Sequence, residues 1–345
     1  IEALKAAGYR MMEVFGAKGY NKAVNLFPYA PHLAFWQVFF GGIQHEDFVL
    51  STGGGKVMTT PNNVEAIMKI APSFVIGEPS FVYHVIRYAH DNKKDFSFLK
   101  KVVLGANMVP PGFKRKIASL LSNMGAADVN ILGTYGFTEA KYAWGECPTL
   151  IDVSSGYHTY PDMEIFEVID PSTGRVLDEG EDGELVYTSI NGRGSCVFRY
   201  RTGDLVKGGI IYAPCPHCGR TVPRISSNIS RASNIKDMML SKIKGTLVNL
   251  NDINNILCAE KGVDEWQVEI CKKNNDPFEV DELIICISIL PETDRQALEE
   301  ALRSKILCAT EIGVNRIDVL SQNEMVSRIE IEQSFKAKRF VDKRK

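Results

Sequence analysis

Apolar side chains at Ile1, Leu4, Met11, Met12 and Phe15 recur at helical spacing, which predicts an amphipathic helix at the start of the chain. The strand-like run AVNLF (23–27) and the apolar, aromatic stretch HLAFWQVFFGG (32–42) come next. The alternation then repeats. SFVYHVIRYAH (80–90) reads as a helix and KKVVLGAN (100–107) as a buried strand; PPGFKRKIASLLSNMG (110–125) reads as a helix opened by proline and closed by glycine, and DVNILGTYG (128–136) as another strand. Strands and helices taken in turn predict a parallel sheet covered by helices.

After about residue 145 the texture changes. MEIFEVID (163–170) and GELVYTSI (183–190) read as strands separated by the turn-rich DPSTG and DEGEDG, which predicts a β subdomain over 146–231. From residue 232 the pattern becomes NDINNILCAE, the alternating WQVEI, the buried run ELIICISIL, the helix TDRQALEEALRSKIL and the strand-like NRIDVL. The expected fold class is therefore α/β: an α/β part over 1–145, the β subdomain, and a small α+β domain over 232–345. No internal repeat sharpens these boundaries.

Composition narrows the function classes. The 345 residues are 45% hydrophobic and 24% charged, enough to bury a sizeable core and too apolar for disorder. The net charge of -2 is spread without a long like-charge block, and only the tail FKAKRFVDKRK is basic. Neither nucleic acid nor a membrane surface is an expected partner. No apolar run approaches the roughly 20 residues that span a bilayer, and the start does not read as a signal peptide. A cytoplasmic location follows as the expectation. The eight cysteines include a single close pair and do not form a secreted disulfide pattern; reduced thiols or a metal site fit better.

The candidate chemistry begins in GTYGFTEA (133–140), at the end of an expected parallel strand, where ligands of open α/β sheets sit. Tyr135 has a face for a planar base, Thr138 a hydroxyl for phosphate, and Glu139 a carboxylate for a divalent cation. A strand end with a glycine turn, a core tyrosine and a solvated glutamate accounts for the same residues. Downstream, YRTGD (200–204) reads as a turn whose Asp204 has acceptors enough for both hydroxyls of a ribose. CPHC gives Cys215 and Cys218 the spacing at which two thiolates reach one zinc ion.

Taken in order, YGFTE, TGD, the pair Ser230–Arg231 and a near-terminal lysine resemble the adenylate-forming acyl-CoA synthetase superfamily, with most likeness to its phenylacetate–coenzyme A ligase branch. The resemblance covers almost the whole chain. It includes the segment from STGGGK to FVYHVI, the VVLGANMVPP loop, PCPHCGRT and the terminal FKAKRFVDKR. It implies a two-step ligase that joins ATP to a small carboxylic acid, apolar or aromatic, as an acyl-adenylate, and then transfers the acyl group to coenzyme A. Transfer to a protein or carrier thiol, or a non-catalytic acyl- or nucleotide-binding module, are the alternatives.

Position by position, the resemblance implies that Tyr135 and Gly136 hold adenine, with Gly105, Ala106 and Asn107 lining that side. It puts Thr138 at phosphate, Glu139 on Mg²⁺, and Asp204 and Arg231 at ribose and phosphate. Lys336 would lie between the acid and the α-phosphate, with Lys338 its competitor. Phe27, Tyr29 and His32 would line the acyl pocket. Cys147 and His158 would join Cys215 and Cys218 around a structural Zn²⁺, with His217 in reserve and metal-free thiols the competing reading. The remaining Cys196, Cys258, Cys271, Cys286 and Cys308 are expected in the core. Ser230 stands where the family usually has glycine, and Asp237 is the expected hinge. A homodimer is compatible with the resemblance. STGGGK lacks P-loop spacing, and the Ser/Thr/Gly-rich loop with which the family wraps ATP phosphates has no counterpart here; the expectation is that an N-terminal portion carrying it is absent.

Overall fold

The computed structural model describes residues 1–19, 21–29, 32–191, 196–231, 240–243, 246–276, 278–334 and 336–344. They belong to two compact units, Ile1–Ala232 and Ser233–Lys345. The expected hinge residue Asp237 lies outside the described residues.

The first unit opens with α1 (Glu2–Val14) and then builds a six-stranded sheet from β1 (Lys22–Asn25), β2 (Phe48–Ser51), β3 (Phe74–Gly77), β4 (Lys101–Leu104), β5 (Asn130–Gly136) and β6 (Ala143–Gly145). The order is β2-β1-β3-β4-β5-β6; the first five strands are parallel and β6 returns antiparallel to β5. The crossovers are α2 (Leu33–Gln44), α3 (Thr60–Ile70), α4 (Pro79–Asp91) and α5 (Pro111–Asn123). All four residues of β3, FVIG, are buried, as a strand covered by helices on both faces requires. α4 starts where the sequence pattern places it: Pro79 supplies the first helical φ, and the Glu78 side chain caps the Phe81 N–H at 2.9 Å.

The rest of this unit is β. An antiparallel sheet is formed by β8 (Glu164–Ile169), β9 (Gly183–Ser189), β10 (Tyr200–Lys207) and β13 (Asn228–Arg231), in the order β13-β10-β9-β8. A smaller one joins β7 (Tyr157–His158), β12 (Arg224–Ile225) and β11 (Ile210–Ile211). Trp144, Tyr157, Phe166 and Tyr187 form the aromatic centre of the core between the two regions. YRTGD departs from the expected turn: Tyr200 to Asp204 are strand residues of β10. Gly203, at φ +72, opens a bulge between Arg201 and Leu205 in the pairing with β9, so the turn-like signal is a distortion inside a strand.

The second unit has the hairpin β14 (Leu240–Ile243) and β15 (Thr246–Asn249), followed by α6 (Leu250–Ala259). Its sheet, β18-β17-β16-β19, pairs β16 (Val263–Lys272) antiparallel with β17 (Asp281–Ile289), with β18 (Arg316–Val319) and β19 (Phe340–Asp342) added in parallel. α7 (Arg295–Thr310) is capped by Asp294, and α8 (Gln322–Arg328) by a capping box of Ser321 and Glu324. The mixed α/β fold class read from the sequence is the fold observed.

Cys196 and Cys308 are corrections. Both are exposed, whereas Cys258, Cys271 and Cys286 are buried as expected. Cys308 sits in an amphipathic helix, where an apolar neighbourhood in sequence does not say which face a residue occupies. Among the described residues, no helix is long and apolar enough to cross a membrane.

Candidate nucleotide and metal sites

β4 and β5 run side by side with Leu104 opposite Gly133, so the residues just beyond β4 lie beside Thr134 and Tyr135. Gly105 is required there. A Cβ at this position would stand 2.4 Å from Thr134 Oγ1 and 3.3 Å from Phe27 Cζ. This close approach brings the expected acyl-pocket residue Phe27, itself buried, to the expected adenine loop. Ala106 follows with φ +77, a conformation costly for an L-residue with a Cβ. The loop is fixed at its end by Asn107, whose Nδ2 donates to Glu78 Oε1 at 2.6 Å. Glu78 thus caps α4 with one oxygen and holds Asn107 with the other.

Tyr135 presents its ring to two core aromatics, Trp144 and Tyr157, at centroid distances of 5.9 and 5.8 Å. It is only partly buried. Its hydroxyl donates to Asp204 Oδ2 at 2.6 Å, across 69 residues of sequence. Asp204 is 4% exposed and lies opposite Arg231 in the β10–β13 pairing; the Arg231 side chain is outside the described residues. Gly136 pairs with Ala143, where a Cβ would come 2.6 Å from the alanine side chain. The chain then turns through a short 3₁₀ segment, Thr138–Ala140, that leaves Thr138 exposed and Glu139 half-buried. Glu139 Oε1 accepts from the Tyr200 hydroxyl at 2.8 Å.

The other two expected acyl-pocket residues are placed differently from Phe27. Tyr29 is 40% exposed; its hydroxyl donates to the Ser51 carbonyl at 2.9 Å, and its ring closes over the turn at Gly53. His32 stands at the N-cap of α2. Lys336 is exposed in the second unit, between α8 and β19. Lys338, its competitor, is ion-paired with Glu330 at 2.6 Å.

Four side chains able to ligate a metal converge in the first unit. The ligand atoms of Cys147, His158, Cys215 and Cys218 all lie within 4.8 Å of one another. Cys147 Sγ is 3.7 Å from Cys215 Sγ, and Cys218 Sγ is 3.3 Å from His158 Nε2. A tetrahedral zinc with bonds of about 2.0–2.3 Å places its ligand atoms about 3.5–3.8 Å apart, so the spacing fits a Cys₃His centre. Burial pushes the His158 imidazole down to about 4, which keeps the ring neutral and its nitrogen available as a ligand. Burial pushes the metal-free Cys147 thiol up to about 12, a cost that a cation would reverse.

Sequence reasoning missed several residues here. The signal for Tyr200 is the repeated spacing of Tyr-x₃-acid in Tyr135–Glu139 and Tyr200–Asp204. Lys114 and Glu146 form a buried ion pair at 2.9 Å, and the same Glu146 oxygen accepts the Gly133 N–H at 2.6 Å. Glu164 accepts from the Tyr160 N–H, the Trp144 indole and the Tyr142 hydroxyl. Nothing in the local sequence marks these acids as buried, because the side-chain donors Lys114, Trp144 and Tyr142 stand 20 or more residues from the acids they serve.

A family model for AMP-binding enzymes matches residues 11–199, more than half of the chain. The chain belongs to the AMP-binding enzyme family. This family member is 27% identical over 308 residues to a phenylacetate-coenzyme A ligase of Aromatoleum evansii, a match that covers 86% of this chain and 63% of the relative. It is 26% identical over 265 residues to the phenylacetate-coenzyme A ligase of Thermus thermophilus, covering 75% of this chain and 54% of that protein. It thus spans less than two thirds of the length of these relatives. A crystal structure of 2-hydroxyisobutyryl-CoA ligase in the postadenylation state, in complex with 2-HIB-AMP, superposes with a TM-score of 0.79 over 99% of this chain and 69% of that one. At 19% identity that likeness is one of fold.

Proposed function

We propose that this AMP-binding family member serves ATP-dependent activation of a small apolar or aromatic carboxylic acid, with transfer of the acyl group to coenzyme A. The observation that carries the reading is the bond from Tyr135 to Asp204, beside the strained Gly105–Asn107 loop at the carboxyl ends of β4 and β5. A partly buried tyrosine ring and an oriented carboxylate beside it suit an adenine and its ribose. The names of the relatives support a phenylacetate-CoA ligase type of chemistry.

In this reading Tyr135 stacks on adenine, Gly136 lets the chain pass close to Ala143, and Gly105, Ala106 and Asn107 line the base. Asp204 accepts the ribose hydroxyls, and Arg231, opposite it on the adjoining strand, is assigned to ribose and phosphate. An oxygen of the acid attacks the α-phosphorus of ATP and the bond to pyrophosphate breaks; the thiol of coenzyme A then attacks the acyl carbonyl and AMP leaves. Such chemistry is governed by positioning and charge neutralisation. Thr138 offers an exposed hydroxyl to phosphate, and Lys336 is assigned the cation that steadies the acid against the α-phosphate. A magnesium ion, when bound, neutralises phosphate charge; Mg²⁺ takes one or two carboxylates plus phosphate oxygens, and Glu139, half-buried with one oxygen already held, fits that demand. Phe27 lines the acyl side, with Tyr29 and His32 further along the same segment. The Cys147, His158, Cys215 and Cys218 set is assigned a structural zinc.

Replacing Asp204 with alanine tests the core of this reading. Leaving buried ribose hydroxyls unpaired costs about 1–3 kcal/mol per group. Calorimetry is expected to show AMP affinity lower by about tenfold or more in Asp204→Ala with the fold intact. Equal AMP affinity in the two proteins rejects the assignment. Acid-dependent ATP–pyrophosphate exchange, run across aryl and aliphatic acids, then separates substrate classes.

A further inference from the structure

The two bonds described above form one device. Tyr135 and Glu139 are four residues apart at the end of β5, and Tyr200 and Asp204 are four residues apart on β10. They cross-pair: the tyrosine of the first segment donates to the acid of the second at 2.6 Å, and the tyrosine of the second donates to the acid of the first at 2.8 Å. This is the pattern of two segments passing antiparallel in a single register. The register is set by backbone and packing, since Tyr200 pairs with Tyr187 of β9 and its ring stacks over Phe137, which in turn meets Tyr187 edge-on.

We propose that Tyr200 is a positioning residue for the divalent cation, and that the reciprocal pair of tyrosine–carboxylate bonds couples the ribose contact to the metal contact. The inference rests on the reading of Asp204 and Glu139 as ligand groups. A carboxylate with one oxygen fixed by a short hydrogen bond presents the other in a single orientation, which a free glutamate on a half-exposed turn does not. The phenol also engages one oxygen of Glu139, so a bound cation would draw on the other oxygen of Glu139 and on phosphate. Asp204 is tied to Tyr135 by the matching bond. Because both bonds depend on the same register, a shift of one segment disturbs both acids together.

Phenylalanine at either position keeps the ring and deletes the donor. AMP affinity in EDTA and the affinity for a non-hydrolysable ATP analogue with and without Mg²⁺ would be measured by calorimetry for the wild type, Tyr200→Phe, Tyr135→Phe and the double variant, with thermal unfolding as the control for folding. Tyr200→Phe is expected to lose about tenfold or more of the Mg²⁺-dependent gain in analogue affinity, the usual consequence of deleting an outer-sphere partner, with a smaller change for AMP in EDTA. Tyr135→Phe is expected to show the opposite order, weakening AMP by about tenfold with less effect on the Mg²⁺ gain. Coupling predicts that the two losses do not simply multiply in the double variant. The proposal is overturned if Tyr200→Phe keeps the full Mg²⁺ gain, or if it weakens AMP and the Mg²⁺–analogue complex by the same factor, which is what a purely structural tyrosine would do. A wild-type protein that binds no AMP overturns the functional reading and this inference with it; a wild type that binds AMP and responds to Mg²⁺, with indifferent phenylalanine variants, overturns only the inference.

Discussion

Two kinds of polar cluster occur in the first unit. In the closed kind, every acceptor is committed to the protein: Glu146 takes Lys114, the Gly133 N–H and Ser154, and Glu164 takes three donors inside an aromatic box. In the open kind, at the seam between β5 and β10, a tyrosine engages one oxygen of each acid beside a partly exposed turn. Burial alone does not separate them, since Asp204 is as inaccessible as Glu146. What separates them is the setting: the acids of the seam are each held by a tyrosine hydroxyl next to a partly exposed turn. A closed cluster fixes strands to one another, whereas the seam sets two tyrosine-held acids beside a partly exposed turn.

The metal cluster gives the sharpest test of the closed class. A structural zinc site can contribute on the order of 10 kcal/mol to the folding of a small domain, so removing it is the largest effect expected. Protein purified without chelator should carry about one zinc per chain, the stoichiometry of a single tetrahedral Cys₃His site. Cys215→Ser should lose that metal and lower the unfolding midpoint steeply, while Cys286→Ala in the second unit leaves metal content unchanged. Elemental analysis that finds no metal in the wild type removes the cluster from the closed class.

The buried ion pair comes next. Lys114 and Glu146 are 8% and 4% exposed at their side chains, and removing one partner of such a pair costs about 3–5 kcal/mol because the other charge is left buried. Urea unfolding of Lys114→Met should show that loss. A change under 1 kcal/mol, the range of exposed pairs, would place Glu146 with the open acids instead.

The smallest effect is one of pH. Burial, opposed by three hydrogen bonds, pushes the Glu164 carboxyl up to about 7 from an ordinary 4.5. The folded protein therefore keeps a proton that the unfolded chain releases, and stability contributed by this group is full below about 4.5 and lost as pH rises through about 7. Relative to Glu164→Gln, the wild type should lose stability between these values. Parallel stability curves for the two proteins would show that the three donors hold Glu164 ionised throughout.

Hydrophobic periodicity by itself determined the βα alternation, the change to short β strands after residue 145 and, in the second unit, β16, β17, α7 and β18, because each is written in side chains a few residues apart; the β14–β15 hairpin, α8 and β19 were not legible that way. The order of YGFTE, TGD and CPHC was likewise legible, and with it the chemistry available to the chain. What only the tertiary structure decided is which of those groups meet. Tyr135 reaches Asp204 across 69 residues, Tyr200 reaches Glu139 across 61, and Cys147 meets Cys215 across 68. No local pattern encodes such pairings. The bulge at Gly203 turned an apparent loop into a strand, and the exposed faces holding Cys196 and Cys308 belied their apolar neighbours. Sequence specifies donors and acceptors one at a time, but which donors reach a given acid is a property of packing between segments.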